Sequence, residues 1–312
     1  MMRQARSVPR MSESLVQLVP GSRLPPWIRM SLPREQYPRV RTLLQEQRLS
    51  TVCREARCPN LTECWSAGTA TLMLLGDTCT RRCSFCAVTT RSQGGHLDET
   101  EPDRVARAVD DWGLSYVVLT QVCRDDLSDQ GAGALARTVR AIHERRPKVR
   151  VEVLACDLGG SEDAVGTVLG SKPEVFAHNL ETVRRLSPEV RDRRAAYDLS
   201  LRTLRLAKEI GPRARLTKSS LMLGLGEERA EVVEAMSDLR RAGVDLLTLG
   251  QYLRPGGDRF RQVSRYVSPE EFADLAAEAR RMGFLGVASG PLVRSSYRAD
   301  ELFERATSVR GD

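Results

Sequence analysis

The sequence predicts an α/β fold, a partial (β/α)6 barrel with N- and C-terminal extensions, and three observations predict it. Short apolar runs alternate with amphipathic helical stretches from Thr71 to Met282, the spacing of βαβ units around a parallel sheet. The chain has 312 residues, 41% hydrophobic and 29% charged, enough to bury one large α/β core. The rival is a doubly wound open sheet. No G-x-G-x-x-G turn follows the first strand, which counts against its dinucleotide-binding version.

Taken in order, residues 1–30 read as irregular, punctuated by Pro20, Gly21, Pro25 and Pro26. A short helix is expected over about Glu35–Gln47, followed by loops and turns. Thr71–Leu75 reads as the first strand. Pro102 suits the first turn of a helix whose apolar face is Val105, Ala108, Val109 and Trp112, ended by Gly113. Strands are expected at Tyr116–Leu119, Val149–Leu154, Glu174–Ala177, Leu216–Leu223 and Val244–Leu249. The intervening helices are Ala134–Arg146, Ser161–Leu169, Leu199–Ile210 before Gly211-Pro212, and one carrying Val232, Val233, Met236 and Leu239. Pro269–Met282, built on Phe272, Leu275, Ala276 and Ala279, closes the sixth unit. The active site of such a barrel lies at the C-terminal ends of its strands.

The net charge is +7. Arginine supplies nearly all the excess, lysine occurring only at Lys148, Lys172, Lys208 and Lys218. Coding bias explains most of it, and attraction to an acidic partner is the functional alternative. No aromatic-rich stretch or zinc-finger spacing supports nucleic acid, and no run of eighteen apolar residues supports a membrane span. Met1–Met11 carries Arg3, Arg6 and Arg10 and no acid. It reads as a disordered bacterial N-terminus, with a weak organellar presequence as the alternative. The expected compartment is the cytoplasm.

Of eight cysteines, Cys53, Cys58, Cys64, Cys79, Cys83 and Cys86 are clustered, and Cys123 and Cys156 stand apart. Clustered cysteines in a chain this large bind metal more often than they form disulfides. Cys79-Thr-Arg-Arg-Cys83-Ser-Phe-Cys86 places three thiolates in a loop directly after the first strand. Three cysteines leave a four-iron cluster with one iron lacking a protein ligand, free to bind a small molecule. The competing reading is structural zinc, which normally takes four ligands. Cys53-x₄-Cys58-x₅-Cys64 is less specific alone, and buried small residues or zinc compete there too.

The Cys79–Cys86 segment closely resembles the radical S-adenosylmethionine (SAM) superfamily. The stretch Val52-Cys-Arg-Glu-Ala-Arg-Cys58-Pro-Asn-Leu-Thr-Glu-Cys64-Trp65 and the stretch Gly290-Pro-Leu-Val-Arg294-Ser295-Ser296-Tyr297 resemble the two signatures of lipoyl synthases. The likeness runs from about Pro26 to Ala299. It takes in Pro26-Trp27-Ile28, Arg124-Asp125-Asp126-Leu127, His178-Asn179-Leu180-Glu181-Thr182, Thr217-Lys218-Ser219, Gly224-Leu225-Gly226-Glu227 and Gln251-Tyr252-Leu253-Arg254-Pro255.

The resemblance implies two 4Fe–4S clusters and S-adenosyl-L-methionine. Cys79, Cys83 and Cys86 would hold the SAM-cleaving cluster, and Cys53, Cys58, Cys64 and Ser295 an auxiliary one. Phe85, Asn179, Glu181, Gly224 and Glu227 would serve SAM binding. A helix cap competes for Asn179 and Glu181, a tight turn for the glycines, and a turn cap for Ser295. The implied segments are 1–68 with the auxiliary cysteines, 69–289 as the barrel, and 290–312 with the Arg-Ser-Ser-Tyr motif. The implied reaction inserts two sulfurs at the sixth and eighth carbons of an octanoyl chain. That chain is carried on a lysine of a lipoyl domain, in a 2-oxo-acid dehydrogenase acyltransferase or the glycine cleavage H protein. A reductant such as ferredoxin or flavodoxin would feed electrons. The rivals are a biotin-synthase-like sulfurtransferase and a two-cluster electron-transfer protein.

The chain departs from the family pattern in four places. Cys123 stands where an aspartate is usual and Cys156 where a proline is usual. Gly256–Ser264 lacks the usual histidines, and Gln130-Gly131 replaces a pair of glycines. Cys123 and Cys156 read most simply as buried small residues.

Overall fold

The structure, a computed structural model, describes residues 24–29, 36–67, 69–211 and 215–311. The reading of Met1–Met11 lies outside the described residues. The described residues form ten strands: β1 (Ser50–Thr51), β2 (Thr71–Leu74), β3 (Thr78–Cys79), β4 (Thr89–Thr90), β5 (Tyr116–Gln121), β6 (Arg150–Leu154), β7 (Val175–Ala177), β8 (Leu216–Leu223), β9 (Leu246–Gln251) and β10 (Gly286–Gly290). Eight make one sheet in the order β1-β2-β5-β6-β7-β8-β9-β10. All its pairings are parallel except β1 with β2. β3 and β4 form a separate parallel pair around the second cysteine loop.

The six expected strands are all present, and a seventh, β10, joins them. The expected helices lie close to their predicted spans. Glu101–Trp112 carries Pro102 in its first turn and ends at Gly113, whose φ of 72° is open to glycine without a Cβ penalty. Ser161 caps Glu162–Gly170 by accepting from the Ala164 N–H at 3.2 Å. Ser268 caps Pro269–Arg281 in the same way through Glu271. One expectation is corrected: the first cysteine group is not in loops alone. Cys53 sits in a helical turn, Val52–Glu55, and Cys64 in a short helix, Leu61–Ser66.

Alternation along the strands fixes what faces the barrel interior. Thr120, Leu154 and Met222 line the cavity at the strands' C-terminal ends. Residues an even number of positions earlier share that face: Tyr116, Glu152 and Lys218. These form a polar layer near the N-terminal ends. Lys218 Nζ donates to both Glu152 carboxylate oxygens at 2.8 and 3.0 Å, and Tyr116 Oη donates to the same carboxylate at 2.8 Å. Lys218 is 1% exposed and Glu152 fully covered. Below them, Leu302, Phe303 and Ala306 of the last helix, Ala299–Arg310, pack against Val175, Leu216 and Leu246. The interior is thus plugged at one end and open at the other.

Removing one partner of the Lys218–Glu152 pair leaves a buried charge without its counterion. Lys218→Met is expected to cost about 3–5 kcal/mol of stability. Lys218→Met combined with Glu152→Gln is expected to recover a large part of that. Urea unfolding of the three proteins checks this; a single variant as stable as the parent would show that the pair is not structurally important.

Candidate active site

A cavity of about 320 Å³ opens at the C-terminal ends of the strands, the size of a small-molecule site. Its walls include Cys53 and Cys58 of the first cysteine group and Cys79, Cys83 and Cys86 of the second. Phe85, Asn179, Glu181, Arg294, Ser295 and Ser296 complete the parts foreseen from sequence.

The two cysteine groups come from separate parts of the chain, and different contacts hold each. The Cys79–Cys86 loop is tied down by Arg81, which is 4% exposed. Its Nε and NH2 donate to Asp125, just after β5, at 2.7–3.1 Å. NH1 and NH2 donate to Asp157, just after β6, the second at 2.9 Å. Thr80 Oγ1 adds a 2.6 Å bond to Asp125, and the Thr80 N–H donates to the Cys123 carbonyl at 3.0 Å. Burial pushes the Asp157 carboxyl up, but the Arg81 hydrogen bonds, the charges of His178 and Arg81 and the Gly159 N–H together hold the group below its ordinary range. The far end of the loop bonds through the Ser84 N–H to the Val190 carbonyl at 2.9 Å. Arg261, from the segment that lacks the usual histidines, donates its N–H to the Ser84 carbonyl at 3.0 Å.

The first cysteine group is held by the C-terminal segment. Asn60 Nδ2 donates to the Leu292 carbonyl at 2.6 Å, Tyr297 Oη to Glu63 at 2.6 Å, and Arg57 NH1 to the Pro255 carbonyl at 3.0 Å. Gly250 permits this crossing, since a Cβ there would lie 2.0 Å from the Val293 carbonyl oxygen. Cys64 does not line the cavity, yet its thiol lies close enough to feel Cys53 and Cys58. Ser295 and Ser296 make no hydrogen bond through their hydroxyls among the described residues. The turn-cap alternative for Ser295 therefore lacks a bond, and the last helix has Arg298 as its N-cap.

All eight cysteines are free. Burial pushes the Cys53 and Cys86 thiols up to about 12 and Cys83 to about 11. The chain alone therefore keeps them as thiols at neutral pH, and a bound metal must displace their protons. Three soft sulfurs in each group suit iron–sulfur chemistry better than oxygen-seeking ions. Among the described residues, no three His, Cys, Asp or Glu side chains gather about a single metal ion.

Asn179 and Glu181 follow β7 into the cavity. Glu181 holds a φ of 71°, a strained position for a side chain of its size, fixed by backbone bonds to Ser220 and Met222. Burial raises its carboxyl, opposed by Arg191 and Asn179. Asn179 Oδ1, Gln121 Oε1 and Arg191 Nε are buried without a partner among the described residues. Polar atoms left open at a cavity wall fit a polar ligand. Gly224 and Glu227 do not line the cavity. Glu227 instead accepts from the Gly224 and Leu225 N–H groups at 2.6 and 2.9 Å, and a Cβ on Gly224 would meet Gln251 and Arg265. The tight-turn alternative describes these two.

Sequence reasoning overlooked Arg81, Asp157, His178 and Arg191 at this cavity. The arginine inside the cysteine motif was the available signal.

The sequence matches the radical SAM superfamily over residues 73–239. It is 54% identical over 284 residues to the lipoyl synthase of Pyrobaculum calidifontis, covering 90% of this chain and 96% of that protein. It is 56% identical over 284 residues to the lipoyl synthase of Thermus thermophilus, covering 91% and 87%. Among solved structures it resembles methylornithine synthase (TM-score 0.51, 13% identity, 80% of this chain and 73% of that one). It also resembles the hydrogenase maturase HydG (TM-score 0.54, 17% identity, 76% and 54%). These structures share the fold alone. Fold and sequence together make the protein a radical SAM enzyme. Within that superfamily the chain belongs to the lipoyl synthases.

His178 bonds through Nδ1 to the Ala155 carbonyl at 3.0 Å and through Nε2 to Ser200 at 2.9 Å. Burial, with Arg191 close by, lowers its pKa to about 4. The folded state thus favours the neutral ring. The stability this contributes is present above the ordinary histidine range and is lost as pH falls from about 6.5 to about 4. In an NMR titration the His178 ring should stay neutral through pH 5. A midpoint near the ordinary value would contradict the burial argument.

Proposed function

We propose that the chain inserts two sulfur atoms into an octanoyl chain amide-linked to a lysine of a lipoyl carrier domain. The observation that carries this reading is the convergence of Cys53, Cys58, Cys79, Cys83, Cys86 and Ser295 on one cavity. Removing hydrogen from an unactivated alkyl carbon is beyond any side-chain base. When bound, the two clusters and SAM would supply the electron, the 5′-deoxyadenosyl radical and the sulfur.

The protein's own residues then have definable tasks. Cys79, Cys83 and Cys86 would hold one cluster with an iron left open. Cys53, Cys58, Cys64 and Ser295 would hold the other, so that residues 1–68 and 290–312 act together against the barrel of 69–289. Phe85 offers an apolar surface beside Cys86, and Asn179 and Glu181 offer polar groups for SAM. Gly224 and Glu227 would act only indirectly, by shaping the turn after β8.

The carrier would be a 2-oxo-acid dehydrogenase acyltransferase domain or the glycine cleavage H protein, with ferredoxin or flavodoxin as reductant. No helix among the described residues is long and apolar enough to cross a membrane. The reading places the reaction in the cytoplasm, where reduced conditions keep thiols unpaired. No role in binding nucleic acid or membrane is assigned. A two-cluster electron carrier, the rival of a different class, would need no open iron.

Alanine at Cys79, Cys83 or Cys86 should abolish 5′-deoxyadenosine formation from SAM; cleavage retained in all three variants would overturn the assignment. Ser295→Ala should keep 5′-deoxyadenosine formation and sharply lower sulfur insertion, because a hydroxyl is the hardest and weakest of that ligand set. Ser296→Ala should be much milder, and the reverse order would move the role to Ser296. Free octanoate should be a very poor substrate beside an octanoylated carrier domain, since it lacks the remote contacts that position the chain. Mass spectrometry of the carrier and of the free acid reads these effects, and equal turnover of the two substrates would remove the carrier from the account.

A further inference from the structure

The Cys79–Cys86 loop runs against residues 189–194, at the end of the short helix Ser187–Val190. Ser84 donates to the Val190 carbonyl from its N–H at 2.9 Å and from its hydroxyl at 3.0 Å. The Arg82 N–H donates to the Asp192 carboxylate at 2.9 Å, and Arg194 donates to the Thr80 carbonyl at 2.6 Å. Between these lies a bond of a different kind. The Asp192 N–H donates to the Cys83 sulfur at 3.3 Å, from 109 positions further along the chain. Among the described residues it has no other acceptor. Cys79 also accepts a backbone N–H, that of Arg81 at 3.4 Å. That donor comes with the turn of the loop itself, whereas the Asp192 donor requires a separate segment to be brought up and held. Asp192 is held on both sides of its N–H. Its carbonyl accepts from the Ala195 N–H at 2.7 Å, and the preceding Arg191 N–H donates to the Ser187 carbonyl at 2.9 Å. Arg194, 2.9 Å from the Asp192 carboxylate, offsets its charge.

We propose that the Asp192 N–H makes the cluster held by Cys79, Cys83 and Cys86 easier to reduce. The inference rests on the reading that these three cysteines hold a four-iron cluster, and it concerns the electron which that cluster must accept. Sulfur bound to iron is a thiolate. The electron gained on reduction adds negative charge to the cluster and its sulfurs. A backbone N–H directed at such a sulfur therefore stabilises the reduced form more than the oxidised form, which raises the potential. The step is a one-electron transfer from the reductant to the cluster, with no proton moved and no bond broken. Asp192 acts through Cys83, so it is a positioning residue. Its backbone supplies the donor, and its carboxylate ties the same residue to Arg82 beside the ligand.

Proline at this position removes the N–H donor. Arg191 already has φ −99° and ψ 161°, the extended backbone that a following proline requires. Asp192→Ala loses the carboxylate as Asp192→Pro does but keeps the N–H, so comparing the two isolates the bond. Both are made in the full chain carrying Cys53→Ala, Cys58→Ala and Cys64→Ala, which leaves one cluster to observe. A redox titration followed by EPR should give a more negative midpoint for Asp192→Pro than for Asp192→Ala. Pulsed EPR of the reduced protein, with ¹⁵N in aspartate alone, should show a ¹⁵N coupling that Asp192→Ala removes. This second measurement needs no proline variant to fold. Equal midpoints in the two variants, or a ¹⁵N coupling that is absent or survives Asp192→Ala, would overturn the inference. A chain with Cys53, Cys58 and Cys64 replaced that holds no reducible cluster would overturn the assignment of Cys79, Cys83 and Cys86, and this inference with it.

Discussion

The site depends on one arginine. Arg81 lies between two cysteines of the C-x₃-C-x₂-C loop and is buried against Asp125 and Asp157, each at the end of a different strand. A buried charge is costly unless its partners satisfy it, and here two carboxylates share the guanidinium. The loop cannot lift from the barrel without breaking both pairs. Asp125 is itself steadied by Thr80 and by Arg194, 3.3 Å away. Burial opposes ionisation of Asp125, but the bonds from Arg81 and Thr80 keep its carboxyl below the ordinary value. The Cys79–Cys86 loop, whose own sequence has little to pack, thereby takes its position from the ends of strands β5 and β6.

The other half of the cavity is built differently. The first cysteine group precedes the barrel and the Arg294–Tyr297 stretch follows it, yet each holds the other. The Asn60–Leu292 and Glu63–Tyr297 bonds link residues more than two hundred positions apart in sequence. Neither stretch has a sizeable core of its own, so closing that long loop has to be offset by the barrel between them. The barrel supplies it through its apolar core and the last helix packed beneath. Stability at one end of the strands thus supports the arrangement of groups at the other. A barrel that keeps its chemistry at the C-terminal ends can vary one end without unsettling the other.

Much of this was legible in the chain. The alternation of apolar strands and amphipathic helices, Pro102 in the first turn of its helix and the stop at Gly113 are local signals that survived into the fold. β10 was not legible because Gly286-Val-Ala-Ser-Gly290 has one β-branched residue, Val287, among small ones. Its small residues serve packing: a Cβ on Gly286 would come within 2.9 Å of Leu302 and 2.8 Å of Leu246. Gly224 and Glu227 were given to the ligand because a G-x-G beside a strand end suggests close backbone approach. In the fold, the Glu227 carboxylate closes the turn on itself. Arg81 was passed over because an arginine between cysteines reads as a solvated charge, and only the folded sheet brings Asp125 and Asp157 to it. Cys123 and Cys156 read as isolated small residues for the same reason: only the fold brings both to the cavity wall.

The central claim is that two separate cysteine groups of one chain each hold a cluster at a single cavity. Iron and acid-labile sulfide content, with Mössbauer spectra, tests it most directly on three proteins: the parent, Cys79→Ala/Cys83→Ala/Cys86→Ala, and Cys53→Ala/Cys58→Ala/Cys64→Ala. The account predicts about eight irons per parent chain, at ~4 for each cluster, and about four in either triple variant, with different spectra for the two that remain. Loss of all iron in one triple variant, with none lost in the other, would mean a single cluster site and would contradict it.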